Sequence, residues 1–140
     1  MSIEQSKTIA QNIFAALNER DLDGVVAYYA PGSRFHGWAP ETLNADGYKA
    51  AMSALLAGFP DSRFPVEEII AEGDKVVVRH RFQGTHQAEF QGIPATGQAV
   101  SIDGIALLRL DNGAVVEGWL NADLMGMMQQ LGVAPGPGQP

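Results

Sequence analysis

The sequence predicts a small α+β domain in which N-terminal helices pack on one face of a bent β-sheet and enclose a pocket. Two observations predict it. Apolar residues recur at helical spacing until Gly58 and Pro60, and from Phe64 onward they alternate at period two, broken by turn signals. A third limits the size: 140 residues suit one domain with one core, and no repeat or second domain is visible.

Ser2 followed by Gln5 forms a capping-box signal for a first helix running to about Leu17, with Ile9, Ile13 and Leu17 on one stripe beside Phe14. A second short helix is expected from Asp21 or Asp23, carrying Val25, Val26, Tyr28 and Tyr29 and ending at Pro31-Gly32. Arg34 to Gly37 reads as a short extended piece. Asn44 offers the N-cap of a third helix that carries Tyr48, Met52, Leu55 and Leu56 and stops at Gly58.

Strand signals follow at Val66–Ala71 and Lys75–Gln83, joined by the turn Glu72-Gly73-Asp74. After a loop-like stretch to Gly97, a long strand covers Gln98–Leu110, with Gly104 inside it as a place for strong curvature. It turns at Asp111-Asn112-Gly113 and returns over Ala114–Ala122. Leu124–Leu131 reads as a last helix capped by Gly132. The domain is placed at residues 1–133, with a flexible Pro/Gly-rich tail over 134–140.

Hydrophobic residues at 46% and charged residues at 18% describe an ordinary globular chain. A formal charge of −7 argues against nucleic-acid and anionic-membrane partners, both of which want Lys/Arg surfaces. The absence of cysteine excludes disulfides, zinc–thiolate sites and cysteine nucleophiles. Met1 to Lys7 lacks the pattern of a secretory signal, and no apolar run has spanning length, so a cytoplasmic location is expected. No Gly-rich phosphate loop and no nucleophile-elbow serine occurs.

Gly73-Asp74-Lys75-Val76-Val77-Val78-Arg79, Gly84-Thr85-His86 and Phe90 through Gly97 come in one order. Arg109–Gly113, Glu117, Trp119, Asp123 and Gln130-Leu131-Gly132 follow. With Phe59-Pro60-Asp61 upstream, this series resembles the SnoaL-like polyketide cyclases, over about His36 to Gly132. It departs at Pro94-Ala95-Thr96-Gly97, where a second proline is usual, and at Gln87-Ala88, where a glycine is often found. The resemblance implies the nuclear transport factor 2-like cone, a homodimer or homotetramer, and a cyclase acting without a cofactor on a hydrophobic, polyketide-like or β-keto ester substrate. Isomerase, dehydratase, epoxide hydrolase and non-catalytic binding module remain as alternatives on the same fold.

Asp123 matches the acidic residue that serves these cyclases as acid/base. Along an extended strand it shares a face with Trp119 and Asn121. If that face is the concave one, apolar surroundings raise its pKa and suit it to removing a proton α to a carbonyl. The plainer reading is an N-cap for the last helix. His86 is expected to orient Asp123 or to donate to an oxyanion, and the resemblance puts His36 near the pocket mouth.

His80, in line with Val76, Val78 and Phe82, is either a core histidine or a pocket donor. Trp38 and Trp119 each combine an aromatic wall with a polar handle. Tyr48 is either core or a substrate contact. Arg109 joins the face of Glu117, Trp119 and Asp123 if Leu110 pairs with Ala114 across a three-residue turn. It faces away if Asp111 pairs with Ala114. The three histidines lack metal-ligand spacing, and no metal is expected.

Overall fold

A computed structural model describes residues 2–134. The expected tail lies outside them from residue 135 onward. The chain runs α1 (Ile3–Asn18), α2 (Leu22–Val26), β1 (Tyr29–His36), α3 (Ala45–Gly58), β2 (Val66–Glu72), β3 (Lys75–Thr85), β4 (Ala99–Asp111), β5 (Ala114–Ala122) and α4 (Leu124–Leu131). The five strands form one mixed sheet in the order β1-β5-β4-β3-β2, antiparallel except for the parallel pair β1–β5. No described helix is long and apolar enough to cross a membrane.

Local signals set most helix ends. The Ser2 hydroxyl accepts from Gln5 N while the Gln5 side chain accepts from Ser2 N, closing the capping box. Asn44 and Asp21 cap α3 and α2 through Gly47 N and Gly24 N. Gly132 ends α4 in the left-handed region at φ 81°.

The second helix is shorter than expected. It stops at Val26, and Tyr29 opens β1 rather than riding on a helix. Pro31 and Gly32 therefore lie within a strand, not at its start. The edge position tolerates them, because the β1–β5 register is interrupted between Tyr29 and Arg34.

The burial of β4 alternates almost residue by residue. Val100, Ile102, Gly104, Ala106, Leu108 and Leu110 turn inward, under the helices, while Asp103, Ile105, Leu107 and Arg109 turn to the open face. Helix α1 lays Ala10, Ile13, Phe14 and Leu17 on this inner face. Phe59 sits edge-on to Phe82 and Phe90, at 5.2 and 5.6 Å between ring centroids. Asn18 ties α1 to the segment leading into β2: its amide donates to the Phe14 and Phe64 carbonyls and accepts from Phe64 N.

The β4–β5 hairpin resolves the question of register in a way neither sequence option describes. Asp111 pairs with Ala114, so the turn has two residues, Asn112 and Gly113, both at positive φ (50° and 82°). A bulge follows at once: Leu110 pairs with Val115, but Arg109 pairs with Glu117, leaving Val116 as the extra residue. Arg109 thus reaches the face of Glu117 through the bulge, not through a wider turn.

Gly113→Ala puts a Cβ where the backbone is left-handed. We expect a loss of about 1 kcal/mol in chemical denaturation, with the m-value unchanged.

Candidate functional site

Asp123 stands where β5 gives way to α4. Its backbone N–H donates to Asp103 O, which closes the end of the β4–β5 ladder, and its Oδ1 accepts from Gly126 N at 2.9 Å. The carboxylate is therefore an N-cap, and it is exposed. Beside it Leu124 and Met125 are 56% and 63% exposed, an apolar rim around a charged group. Leu120 and Ala122, on the inner face of β5, are only half-buried, so the helix-covered side opens towards this rim. Oδ2 of Asp123 has no hydrogen-bond partner among the described residues.

Helix α4 is positioned by two devices. Met127 and Leu131 are buried in the core. Gln130 clasps the backbone of Ser101, accepting from its N at 2.7 Å and donating to its O at 3.0 Å, much as a neighbouring strand would.

The face of Trp119, Asn121 and Glu117 is not the concave one. The bulge turns Val115 and Gly118 inward, and a Cβ on Gly118 would come within 3.0 Å of Phe35. Trp119 and Asn121 consequently stand on the open face of the sheet, away from the helices. There His36 Nε2 lies 2.7 Å from Glu117 Oε2, Arg109 donates to Glu117 Oε1 at 3.1 Å, and Trp119 stacks on the His36 ring at 5.5 Å. The hydrogen bonds from His36 and then Arg109 hold the Glu117 carboxyl below the usual range. Asp123 is not bonded to this cluster, so Glu117, Arg109 and Asp123 do not form a pair of carboxylates bridged by an arginine, the arrangement that epoxide opening would use.

Of two other sequence candidates, Tyr48 is core and Trp38 is half-buried beside it. Tyr48 is buried against Tyr29, Phe35 and the half-buried Trp38, and burial pushes its phenol up to about 12. Burial, followed by the adjacent Tyr48, also pushes Tyr29 up. Such phenols stay protonated. Trp38 is the partly open member of the group.

The buried histidines differ in their chemistry. His86 is fully buried, stacked on Phe59, and bonded to Thr96 rather than to Asp123. Thr96 N–H must donate, so His86 Nδ1 carries the lone pair and Nε2 the proton, and Nε2 has no partner. His80 is the reverse. Its Nδ1 faces the Val78 carbonyl at 3.3 Å, which can only accept, so Nδ1 carries the proton. Nε2 is left as an acceptor, where the sequence left open a core histidine or a pocket donor.

Phe14 packs on the His80 ring at 4.9 Å, and on the other side the ring lies over Gly104. Across the strands His80 pairs with Gly104 and Gly104 with Ala122, so this imidazole and the Asp123 rim lie two strands apart, roughly 10 Å.

Two surface grooves lie elsewhere. One, of about 600 Å³, runs between α1 and β2 past Lys7, Phe14 and Glu68; another, of about 520 Å³, passes Thr8, Ile9 and Gly113. Neither includes Asp123, His86 or Trp38, so the enclosed pocket expected around Asp123 is not where these openings fall. Among the described residues no group of three or more His, Asp or Glu side chains could hold a metal ion.

Burial lowers the His80 pKa below its ordinary 6.5. The unfolded chain then takes up a proton that the folded chain refuses. The contribution is fully present above pH 6.5 and is lost as pH falls from there through the folded value. In denaturant titrations at pH 7.5 and 5.5, we expect the wild type to lose more stability on acidification than His80→Gln.

Comparison with known proteins agrees with this architecture. The profile of the SnoaL-like polyketide cyclase family matches residues 7–131. AclR from Streptomyces galilaeus, a candidate hydroxylase, is 31% identical over 96% of this chain and 100% of its own, with a TM-score of 0.88. IdmH from Streptomyces antibioticus, a candidate polyketide cyclase, is 30% identical over 92% and 99%, with a TM-score of 0.80. An NTF2-like protein from Burkholderia pseudomallei, at 22% identity over 94% and 98% and a TM-score of 0.76, shares the fold. No protein of curated function matches. With four helices and a five-stranded mixed sheet among the described residues and a profile match over nearly its whole length, the chain belongs to the SnoaL-like polyketide cyclase family and has the nuclear transport factor 2-like fold.

Proposed function

We propose that the protein is an acid/base cyclase that closes a ring by an intramolecular aldol-type reaction on a polyketide-like or β-keto ester substrate. The supporting observation is the carboxylate of Asp123 at an apolar rim. One oxygen is held by Gly126 N and the other is free of protein partners among the described residues, beside exposed Leu124 and Met125. In this reading Oδ2 takes the proton α to a carbonyl, the enolate carbon attacks a second carbonyl of the same molecule, and the resulting alkoxide recovers the proton from Asp123. Atoms and charge balance within the substrate, so the step consumes no cofactor. Holding both reacting ends in one site lowers the entropic barrier.

The helix cap also fits a second reading, a ligand-binding module in which Asp123 only ends a helix. One variant separates them, because Asn caps about as well as Asp. Asp123→Asn should keep the melting temperature and lower cyclisation of a β-keto ester about 100-fold or more. Undiminished turnover with an intact fold sinks the acid/base role.

We further propose that the open sheet face joins two copies of the chain. Ile70, Val77, Leu107, Trp119 and His36 form one cross-strand row over all five strands. On one side lie Glu68, Arg79, Ile105 and Asn121, and on the other Lys75, Arg109, Glu117 and Arg34. Both flanking rows carry both signs, as a self-complementary two-fold contact needs. Two such pairs would make a tetramer. Leu107→Asp should sediment as a folded monomer where the wild type is a dimer or larger; a monomeric wild type removes the proposal.

A further inference from the structure

Asp123 gives the proposed reaction a base at the rim but says nothing of what the interior recognises. The helix-covered face has few polar groups, and most are tied up or sealed off. The Ser62 hydroxyl donates to Phe59 O, the phenols of Tyr29 and Tyr48 adjoin each other, and the unpartnered Ser33 Oγ and His86 Nε2 are shut away from solvent. His80 differs. It is 7% exposed, its ring lies between Phe14 and Gly104, and its Nε2 has no partner among the described residues.

We propose that His80 is the specificity-determining group of the interior, accepting at Nε2 a hydrogen bond from a hydroxyl of the ligand, an enol or a phenol. This rests on the reading of the helix-covered side as the substrate site. Three observations carry it. The Val78 carbonyl fixes the proton on Nδ1, so Nε2 can offer only a lone pair. Burial keeps the ring neutral, which preserves that lone pair at neutral pH. Gly104 gives the ring its place, since a Cβ there would lie 2.8 Å from Nε2 and 3.0 Å from Cε1.

A carbonyl oxygen brought to this nitrogen would find two lone pairs facing each other. A hydroxyl would donate to the free lone pair, and leaving so nearly buried an acceptor unpaired is costly. β-Dicarbonyl compounds present such a hydroxyl in their enol form, and aromatic polyketides present it as a phenol. The site therefore selects the enolic or phenolic ligand over its ether or its unsubstituted ring.

The test is equilibrium binding of 2-naphthol, 2-methoxynaphthalene and naphthalene to the full-length protein. We expect the wild type to bind 2-naphthol at least fivefold more tightly than either of the others. His80→Leu and Gly104→Ala should each bring the three affinities together. Asp123→Asn should leave the preference intact, which separates this proposal from the acid/base role of the rim. Since a core substitution can unfold the chain, ¹⁵N NMR of the wild-type imidazole is the second measurement. Nε2 should resonate in the lone-pair range and move upfield with 2-naphthol but not with naphthalene. No preference for 2-naphthol, a preference surviving His80→Leu, or an Nε2 resonance in the protonated range overturns the proposal.

Discussion

One extra residue in β5 decides which groups this protein hides and which it shows. The Asn112-Gly113 turn starts the β4–β5 ladder with Asp111 opposite Ala114 and so sets Leu110 opposite Val115, both buried. Continued without interruption, that register would set Glu117 opposite Leu108, a buried core residue. The bulge at Val116 moves the pairing by one, so Glu117 meets Arg109 on the open face and Gly118 meets Leu108 inside. β1 depends on the same adjustment. Arg34, Phe35 and His36 pair with Glu117, Gly118 and Trp119, and Phe35 fills the space that Gly118 leaves. The exposed row and the buried floor of the domain are two results of one local defect.

The inner face shows how polar groups survive in a packed core. His80 and His86 are both buried and have opposite proton positions, each set by one backbone group: a carbonyl at Val78 and an amide at Thr96. The His86 arrangement stabilises a loop. Its main chain also exchanges hydrogen bonds with Gln98 and Gly97, so the ring and the backbone hold the same segment to the end of β3. Asp61 works beside it, accepting from both the N–H and hydroxyl of Thr85, and these two bonds lower its carboxyl pKa. The His80 arrangement holds no such segment and leaves its second nitrogen unused.

Much of the fold was legible because it is written in short-range chemistry. Ser2 with Gln5, Asn44 and Gly132 each mark a helix end by a bond within a few residues, and the alternation in β4 shows its two faces directly. The start of β1 was not legible, since Pro31-Gly32 reads as a stop wherever the partner strand is unknown. The position of Asp123 was legible from its place in the motif series, and so was its capacity as a cap. Its face was not, because period two carries orientation only until a bulge intervenes, and nothing in Val115-Val116-Glu117 announces one. Arg109 opposite Glu117, flanking the turn with unlike charges, is the one hint that those two side chains share a face. The proton positions of the histidines depend on Val78 O and Thr96 N, backbone partners that only three-dimensional structure supplies.

The clasp of Gln130 on Ser101 has a consequence for motion. Eight residues are too few for α4 to stand by itself in water. Its hold on the domain consists of two buried side chains, Met127 and Leu131, and a pair of exposed amide bonds at its far end. Detaching it would expose far less apolar surface than opening the sheet, so this helix belongs to the low-energy end of local unfolding. Asp123 caps its first turn. The rim can therefore open and reclose on its own timescale while the sheet behind it, with His80 fixed between Phe14 and Gly104, stays in place.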